Sequence, residues 1–214
     1  MCVAPDYLLV HSSIKEKLIT ALKKTIDLFF QKDAINQSHY GKIINEKQFD
    51  RIVSYLNHGA VIHGGTYKKE ELFIEPTLVD NIDIDSPIMS EEIFGPLLPI
   101  ISFDKKEDAL AIISKNKNPL AFYVFTSNSK KEEEWISSVP FGGGCVNNAS
   151  WHLTNHHLPF GGRGNSGIGQ YQGKYSFDTF SHQKAVMKTP FWFDPSLKYP
   201  PFLGKLGLLK KMIR

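Results

Sequence analysis

Residues 97–147 decide the fold class, and they read LLPIISFDKKEDALAIISKNKNPLAFYVFTSNSKKEEEWISSVPFGGGCVN. Three apolar runs in this stretch have the length and composition of buried strands, at 97–103, 120–126 and 143–147. Two helices separate them, each opened by a capping residue with a glutamate three positions later: Asp104 with Glu107, and Ser129 with Glu132. Strands that alternate with crossover helices predict an α/β fold with an open, mostly parallel sheet and flanking helices.

The residues before this stretch predict two more helices and shorter strands. Helix-period apolar residues run over 14–30, and Ser13 with Glu16 fits a capping box at the start. A second helix fits 46–57, where Gly59 stands just past the end and one apolar stripe is formed by Phe49, Ile52, Val53 and Leu56. Strands are expected at 60–63 and 73–79, after a short apolar run at 7–10.

The alternation stops after Asn147, where a glycine-rich stretch leads into a proline-rich tail. We therefore expect residues 1–178 to form one catalytic domain and residues 179–214 to form an arm. The proline-rich middle of the arm predicts an extended segment that lies on another surface. Its end, GKLGLLKKMIR at 204–214, predicts a short basic amphipathic helix.

Composition narrows the classes of function. The 214 residues are 42% hydrophobic and 22% charged, as in an ordinary globular protein. A formal charge of +3 and the lack of a basic patch interleaved with aromatic residues argue against nucleic-acid binding. No run approaches the roughly 18 apolar residues of a membrane span, and the start lacks the pattern of a signal peptide, so we expect a cytoplasmic protein.

The cysteines, histidines and glycines each offer a candidate site. Cys2 and Cys145 belong to no multi-cysteine framework and are expected to be free thiols, with Cys145 a packing residue in a strand. Three histidines, at 152, 156 and 157, have no further ligand at metal-binding spacing, so no metal site is predicted. The glycines between 161 and 169 match neither GxGxxG nor a Walker loop, and they predict tight turns.

Three segments, in a fixed order, resemble aldehyde dehydrogenases. They are CVAPDYLLVHSSI from Cys2, SEEIFGPLLPI at 90–100 and LPFGGRGNSGIG at 158–169. Other details look like the class 3 branch, which handles fatty and aromatic aldehydes: APDY directly after the cysteine, HYGKIINEKQFDRI, SFDTFSH and KYPP. The resemblance covers nearly the whole chain.

The resemblance implies a role for three side chains. Cys2 becomes the nucleophile that forms a thiohemiacetal and then a thioester with the aldehyde carbon. Glu92 becomes the carboxylate that accepts hydrogen bonds from the nicotinamide ribose of NAD or NADP, and Phe94 packs beside the nicotinamide. In the family, an asparagine that holds the oxyanion and a glutamate that activates water come from the N-terminal half.

Other residues receive structural roles. The resemblance places Pro159, Phe160, Gly161 and Gly162 in loops that shape the substrate tunnel. Asn147 ends a predicted parallel strand, where sites on open α/β sheets tend to form, and it is expected to support the cysteine loop. Class 3 relatives often carry a histidine where this chain has Gln172, so no role of that histidine is transferred.

The resemblance also implies a truncated enzyme that starts at its catalytic cysteine and has negligible activity alone. Its expected reaction oxidises a medium-chain, long-chain or aromatic aldehyde to the acid, with a homodimer or a separate N-terminal half as partner. Two alternatives stay open: a non-catalytic association module, and a thiol-esterase remnant in which Cys2 is acylated without cofactor. The basic end is interpreted as a solvated helix end, with contact to a membrane surface as the alternative.

Overall fold

The structure is a computed structural model that describes residues 1–30 and 33–212. The chain separates into two compact units, Met1–Phe180 and Ser181–Arg214. The strands of the first unit are β1 Leu8–His11, β2 Ala60–His63, β3 Tyr67–Lys68, β4 Phe73–Ile74, β5 Thr77–Asp80, β6 Leu97–Phe103, β7 Ala121–Val124 and β8 Gly143–Val146. Its helices are α1 Lys15–Phe30, α2 Glu46–Ser54, α3 Lys106–Lys115, α4 Ser129–Ser138 and α5 Lys174–Thr179.

The main sheet has the strand order β1-β6-β5-β2. Strands β1, β6 and β5 are parallel, and β2 pairs with β5 in the antiparallel direction. A separate ladder joins β7 and β8 in parallel across helix α4, and β3 pairs with β4 as a short antiparallel ribbon. The predicted α/β class with an open sheet and flanking helices is confirmed, and the sheet is mixed.

Strand β6 is the centre of the core because its two faces pack against different helices. Leu97 and Ile101 join a buried cluster with Phe49 and Ile52 of α2. Ile100 points the other way, into a cluster that includes buried residues of α1 and β1. Each fully buried aliphatic side chain contributes roughly 1.5–3 kcal/mol relative to an exposed one, so these contacts fix α1 and α2 on opposite faces of the sheet.

The strand predicted over 73–79 is divided in two. Pro76 lacks an N–H and cannot donate to a ladder, so β4 ends before it and β5 begins after it. Glu75 N donates to Thr66 O at 2.9 Å, whereas Thr77 N donates to Pro96 O at 2.8 Å. The two halves therefore belong to different sheets.

Helix starts and ends also differ from the predicted ones. Helix α1 is entered through a 3-10 turn at Ser12–Ile14, and the Ser13 hydroxyl lies 2.8 Å from His11 Nδ1 rather than serving the predicted capping box. Helix α2 ends at Ser54 and continues as a 3-10 turn to His58. Asn45 caps its start by accepting a hydrogen bond from Gln48 N at 2.9 Å.

The start of α3 is one capping position later than predicted. The N-cap position, immediately before the helix, is Lys105 rather than Asp104. The Lys105 N–H donates to the Asp108 carboxylate at 3.2 Å. Asp104 accepts a hydrogen bond from the Ser12 hydroxyl instead, which links the start of α3 to the entry of α1.

The second unit contains one further helix among its described residues, α6 at Leu206–Met212. This helix coincides with the predicted basic amphipathic end, of which Ile213 and Arg214 lie outside the described residues. Large apolar side chains of this unit are exposed, among them Met187, Phe191, Trp192 and Leu203. Within residues 1–30 and 33–212, no helix is both long enough and apolar enough to span a membrane.

Candidate active site

The predicted nucleophile and the predicted cofactor residues meet at one edge of the main sheet. Cys2 lies shortly before β1, and Glu92 and Phe94 lie shortly before β6. These strands are parallel neighbours, with Leu8 paired to Ile100, so the segments that precede them arrive side by side. The site therefore forms at the amino ends of the strands.

An open cavity of about 320 Å³ contains all three side chains. Cys2 and Phe94 are exposed there, and Cys2 is a free thiol. The segments that line the cavity are 1–6, 40–43 and 92–96, and their polar side chains are Asp6, Tyr40, Lys42 and Glu92. The cavity thus combines a thiol, two aromatic rings, two carboxylates and a cation.

The turn that carries Cys2 is anchored through its neighbour, Val3. The Val3 side chain is completely buried. Its carbonyl accepts hydrogen bonds from the Tyr123 hydroxyl at 2.7 Å and from Ser150 Oγ at 3.3 Å. Ala4 N donates to Met1 O at 3.0 Å and closes a tight turn around the thiol. The backbone beside Cys2 is fixed, whereas the thiol stays accessible.

Asp6 connects this turn to the segment that bears Glu92. Its Oδ1 accepts a hydrogen bond from Ile93 N at 3.1 Å. Burial raises the pKa of the Asp6 carboxyl above its usual value, and the neighbouring Glu92 charge acts in the same direction. The hydrogen bond from Ile93 and the Arg51 charge oppose that rise. Asp6 is therefore a partly desolvated carboxyl group inside the cavity.

The segment from Glu92 to Gly95 alternates between exposed and buried positions. Ile93 is 1% exposed and belongs to the core cluster under α2, whereas Phe94 is 55% exposed at the cavity. Phe94 has φ of 48°, in the left-handed region that residues other than glycine seldom adopt. This turn aims the flanking side chains into the cavity while Ile93 points into the core.

Gly95 permits the close approach of this segment to α2. A Cβ at Gly95 would lie 2.7 Å from Ile52 Cδ1 and 3.1 Å from Ile52 Cγ2. Ile52 is fully buried and has little room to move away. The glycine is needed for packing density rather than for backbone freedom.

Arg51 of α2 binds the backbone of the same segment. Its guanidinium donates to Glu92 O at 3.2 Å and to Ile93 O at 2.7 Å. The guanidinium also donates to the Tyr55 hydroxyl at 2.9 Å and lies 3.7 Å from the Glu91 carboxylate. One side chain therefore binds two consecutive carbonyls of the segment that bears Glu92 and Phe94.

Asn147 lies outside the Cys2 cavity and takes part in strand pairing. Its Oδ1 accepts from Thr126 N at 2.8 Å, and its Nδ2 donates to Thr126 O at 2.9 Å. The backbone of Asn147 has φ of 52°. Its two side-chain hydrogen bonds to Thr126 extend the β7–β8 ladder past Val146. Ser150, a few residues later, is the residue of this loop that contacts the cysteine turn.

The PFGG segment forms a closely packed loop beside β8. Phe160 pairs with Tyr171 through two backbone hydrogen bonds, Phe160 N to Tyr171 O at 3.0 Å and Tyr171 N to Phe160 O at 2.9 Å. A Cβ on Gly161 or Gly162 would lie 2.3 Å or 2.1 Å from a backbone oxygen. Among the described residues, Pro159 to Gly162 do not line the Cys2 cavity, and Gly162 borders a second, wider one of about 510 Å³.

His152, which is buried, and Cys145, which is half-buried, lie close together near the cysteine turn. Cys145 Sγ lies 3.6 Å from His152 Nδ1, and the imidazole lies between the rings of Tyr123 and Phe160. Burial lowers the pKa of His152, so the imidazole is neutral at neutral pH. Gln172 is buried as well, and its Nε2 donates to Leu153 O at 2.9 Å. In the part of the chain that the structure describes, no group of three or more histidine, cysteine or acidic side chains could hold a metal ion.

Comparison with known proteins decides the family. The pattern of the aldehyde dehydrogenase family matches residues 1–186. The chain belongs to the aldehyde dehydrogenase family. The predicted resemblance to its class 3 branch is confirmed by relatives such as aldehyde dehydrogenase family 3 member H1 of Arabidopsis thaliana, 43% identical over 217 residues. That match covers 99% of this chain and 45% of the relative.

Two further comparisons agree with this assignment. The dimeric NADP-preferring aldehyde dehydrogenase of Canis lupus familiaris is 41% identical over 207 residues, covering 96% of this chain and 46% of the relative. The substrate-bound structure of Staphylococcus aureus AldH superposes with a TM-score of 0.87 at 42% identity, covering 99% of this chain and 47% of that one. This aldehyde dehydrogenase chain thus spans about half the length of these three relatives.

Sequence reasoning about this aldehyde dehydrogenase missed four residues that build the site. Asp6 and Arg51 hold the segment around Ile93, and Tyr40 and Lys42 line the cavity. All four stand in the segments that carry the class 3 resemblance, APDY and HYGKIINEKQFDRI. The resemblance marked both segments, but it did not show which of their residues contact the predicted site residues.

Proposed function

We propose that this chain supplies the nucleophile and the cofactor-facing residues of an NAD(P)-dependent aldehyde dehydrogenase. Its substrate class is medium-chain, long-chain or aromatic aldehydes, which it oxidises to carboxylic acids. The observation that carries the proposal is the single cavity shared by Cys2, Glu92 and Phe94.

Cys2 begins the reaction in this proposal. Its thiolate adds to the aldehyde carbon, and the carbonyl electrons move to oxygen, which the backbone N–H of Cys2 stabilises. After the hydride has left, the carbon remains bound to sulfur as a thioester, and water releases the acid and regenerates the thiol. The exposed thiol on a fixed backbone suits this role, because the attacking atom is accessible and its direction is restricted.

The bound nicotinamide cofactor would accept the hydride from the substrate carbon. Glu92 and Phe94 fit such a group, because an exposed carboxylate can accept hydrogen bonds from two ribose hydroxyls and an exposed phenyl ring offers a flat packing surface. The name of the dog relative, which describes it as NADP-preferring, supports a nicotinamide cofactor.

Two groups of the proposed reaction come from protein outside residues 1–214. The family resemblance implies an asparagine that holds the oxyanion and a glutamate that activates water, both from the N-terminal half. Losing one oxyanion donor costs about 2.7–4 kcal/mol of transition-state stabilisation. We therefore propose that residues 1–214 alone have negligible dehydrogenase activity.

The test combines residues 1–214 with the N-terminal half of a class 3 aldehyde dehydrogenase, in one polypeptide or as two chains. NAD(P)H formation with an aliphatic and an aromatic aldehyde is measured. We expect turnover with both halves and none with either half. Cys2→Ala should lower kcat by at least about 10³-fold.

Cys145→Ala is the matched control, because it removes the other thiol without touching the cavity lining. Activity that survives Cys2→Ala, or an absence of turnover from correctly folded halves, would contradict the proposed function. Hydrolysis of an activated ester without cofactor, dependent on Cys2, would instead establish the thiol-esterase alternative.

The exposed apolar residues of the second unit favour an additional role in association. Phe191 and Leu203 are almost completely exposed, which is unusual for large apolar side chains. The name of the dog relative describes it as dimeric. We propose that residues 181–212 contact a second copy of this chain or the protein that supplies the N-terminal half.

A further inference from the structure

The segment that carries Glu92 and Phe94 is bound at three backbone atoms by two charged side chains. Arg51 donates to the carbonyls of Glu92 and Ile93 at 3.2 and 2.7 Å. Asp6 accepts from the N–H of Ile93 at 3.1 Å. Arg51 of α2 therefore holds the peptide groups on both sides of Ile93, and Asp6, in the turn that follows Cys2, also holds the one that precedes Ile93.

Phe94 makes such external support necessary. Its φ of 48° is a left-handed conformation that a residue with a bulky side chain adopts only when its surroundings hold it there. The phenyl ring is 55% exposed and has few packing contacts of its own to hold the turn. Restraint must come from the buried Ile93 side chain and from the hydrogen bonds to the adjacent backbone.

The guanidinium of Arg51 is itself held in one orientation. Its Nε donates to the Gln48 side chain at 2.7 Å, and the Tyr55 hydroxyl accepts from its Nη1 at 2.9 Å. The Glu91 carboxylate, 3.7 Å away, accepts a hydrogen bond from the same Tyr55 hydroxyl and faces the positive charge. A lysine could supply the charge at this position, but not the planar donors that reach two carbonyls at once.

We propose that Arg51 and Asp6 are positioning residues that hold Glu92 and Phe94 at the cofactor face and in register with Cys2. Neither residue is assigned contact with the reacting atoms. This inference rests on the proposed function for its catalytic consequence. The structural consequence, a rigid segment at 92–96, can be measured independently.

The first measurement is amide hydrogen exchange of residues 1–214, with Arg51→Met and Asp6→Ala compared with the parent chain. Removing either side chain should speed exchange in segment 92–96 by at least about tenfold, with little change in β5. Arg51→Lys should give an intermediate effect. Asp6→Asn should restore protection, because its side-chain oxygen still accepts from Ile93 N.

Lys47→Met is the matched control, since it exchanges a cation for methionine at an exposed position on the same helix. It should leave exchange at 92–96 unchanged. If Arg51→Met does not fold by circular dichroism, the comparison of Arg51→Lys with Lys47→Met decides the same point. Unchanged exchange at 92–96 in Arg51→Lys and Asp6→Ala would overturn the inference.

The second measurement uses the two-half enzyme described above. Arg51→Lys and Asp6→Ala should raise the KM for NAD(P) by roughly 10- to 100-fold, more than they lower kcat, and should leave the KM for aldehyde nearly unchanged. Faster exchange combined with an unchanged cofactor KM would overturn the catalytic part of the inference. If the parent halves give no turnover, the proposed function fails, while the exchange result still decides whether Arg51 and Asp6 rigidify the segment.

Discussion

His152 shows how burial controls protonation beside the site. The imidazole is 8% exposed, and a Cβ on Gly143 would lie only 2.8 Å from its Cδ2, so the ring fills its pocket closely. Its Nε2 has no hydrogen-bond partner among the described residues, which makes a charge on the ring unfavourable. The lowered pKa of His152 follows from this desolvation.

The lowered pKa of His152 predicts a pH dependence of stability. The unfolded chain binds a proton near pH 6.5, whereas the folded chain binds it only at lower pH, so the unfolded state carries more protons in between. The contribution of His152 to the unfolding free energy is present above pH 6.5 and is lost as pH falls toward the folded-state pKa. The slope cannot exceed about 1.4 kcal/mol per pH unit.

Denaturant unfolding at pH 7.5 and 5.5 measures this effect. His152→Gln should reduce the loss of stability between the two pH values, whatever packing energy the substitution costs. His156→Gln, at an exposed position of the same loop, should leave the loss unchanged. An identical pH slope in the parent chain and His152→Gln would show that His152 does not change its protonation on unfolding.

At the level of elements, the contact between α2 and the segment around Gly95 is a second testable feature. Gly95→Ala places a methyl group against Ile52 and should destabilise the fold by about 1–3 kcal/mol, the usual cost of overpacking. Ile52→Val removes the atom that would lie 2.7 Å away and should relieve part of that cost. The loss of unfolding free energy in the double variant should therefore be smaller than the sum of the losses in the two single variants.

Thermal and urea unfolding of the parent chain, Gly95→Ala, Ile52→Val and the double variant completes this double-mutant cycle. Strict additivity would show that Gly95 and Ile52 do not interact. Because Gly95 has an ordinary backbone conformation, strain in the backbone cannot account for a measured loss.

The sequence predicted these elements well where periodicity was strong and poorly where pairing depends on distant residues. The apolar stripe of Phe49 and Ile52 identified α2, and the apolar run at 97–103 matched β6. The break at Pro76 was missed, although the proline removes an N–H donor from the middle of the predicted strand.

The same limit applies to the site. Motif resemblance identified Cys2, Glu92 and Phe94, and the structure places all three in one cavity. The general rule for open α/β sheets directs attention to the carboxyl ends of strands, where Asn147 was expected to contribute. This cavity lies instead at the amino ends of β1 and β6, so the rule did not point to Asp6 or Arg51. The contacts of these two residues with Ile93 depend on how β1 and β6 pair.

For the whole molecule, the division into two units predicts the effect of removing the arm. Truncation after Phe180 should leave the first unit folded, because its core clusters lie entirely before that residue. It should abolish any self-association of the chain. Sedimentation velocity across a range of concentrations, with circular dichroism as the check on folding, compares residues 1–180 with the full chain.

A full chain that is monomeric at all concentrations would contradict the proposed association role. Substituting Phe191 and Trp192 with serine provides a milder test that keeps the arm intact. These variants should weaken association without lowering the unfolding midpoint, because both side chains are exposed.

The alternation of exposed and buried residues at the site separates chemistry from folding. Cys2 is exposed beside the fully buried Val3, and Phe94 is exposed beside the almost completely buried Ile93. Selection can therefore act on the two kinds of position independently. The exposed side chains can diverge toward new substrates or lose the proposed activity altogether, while their buried neighbours preserve the scaffold on which any new specificity would be built.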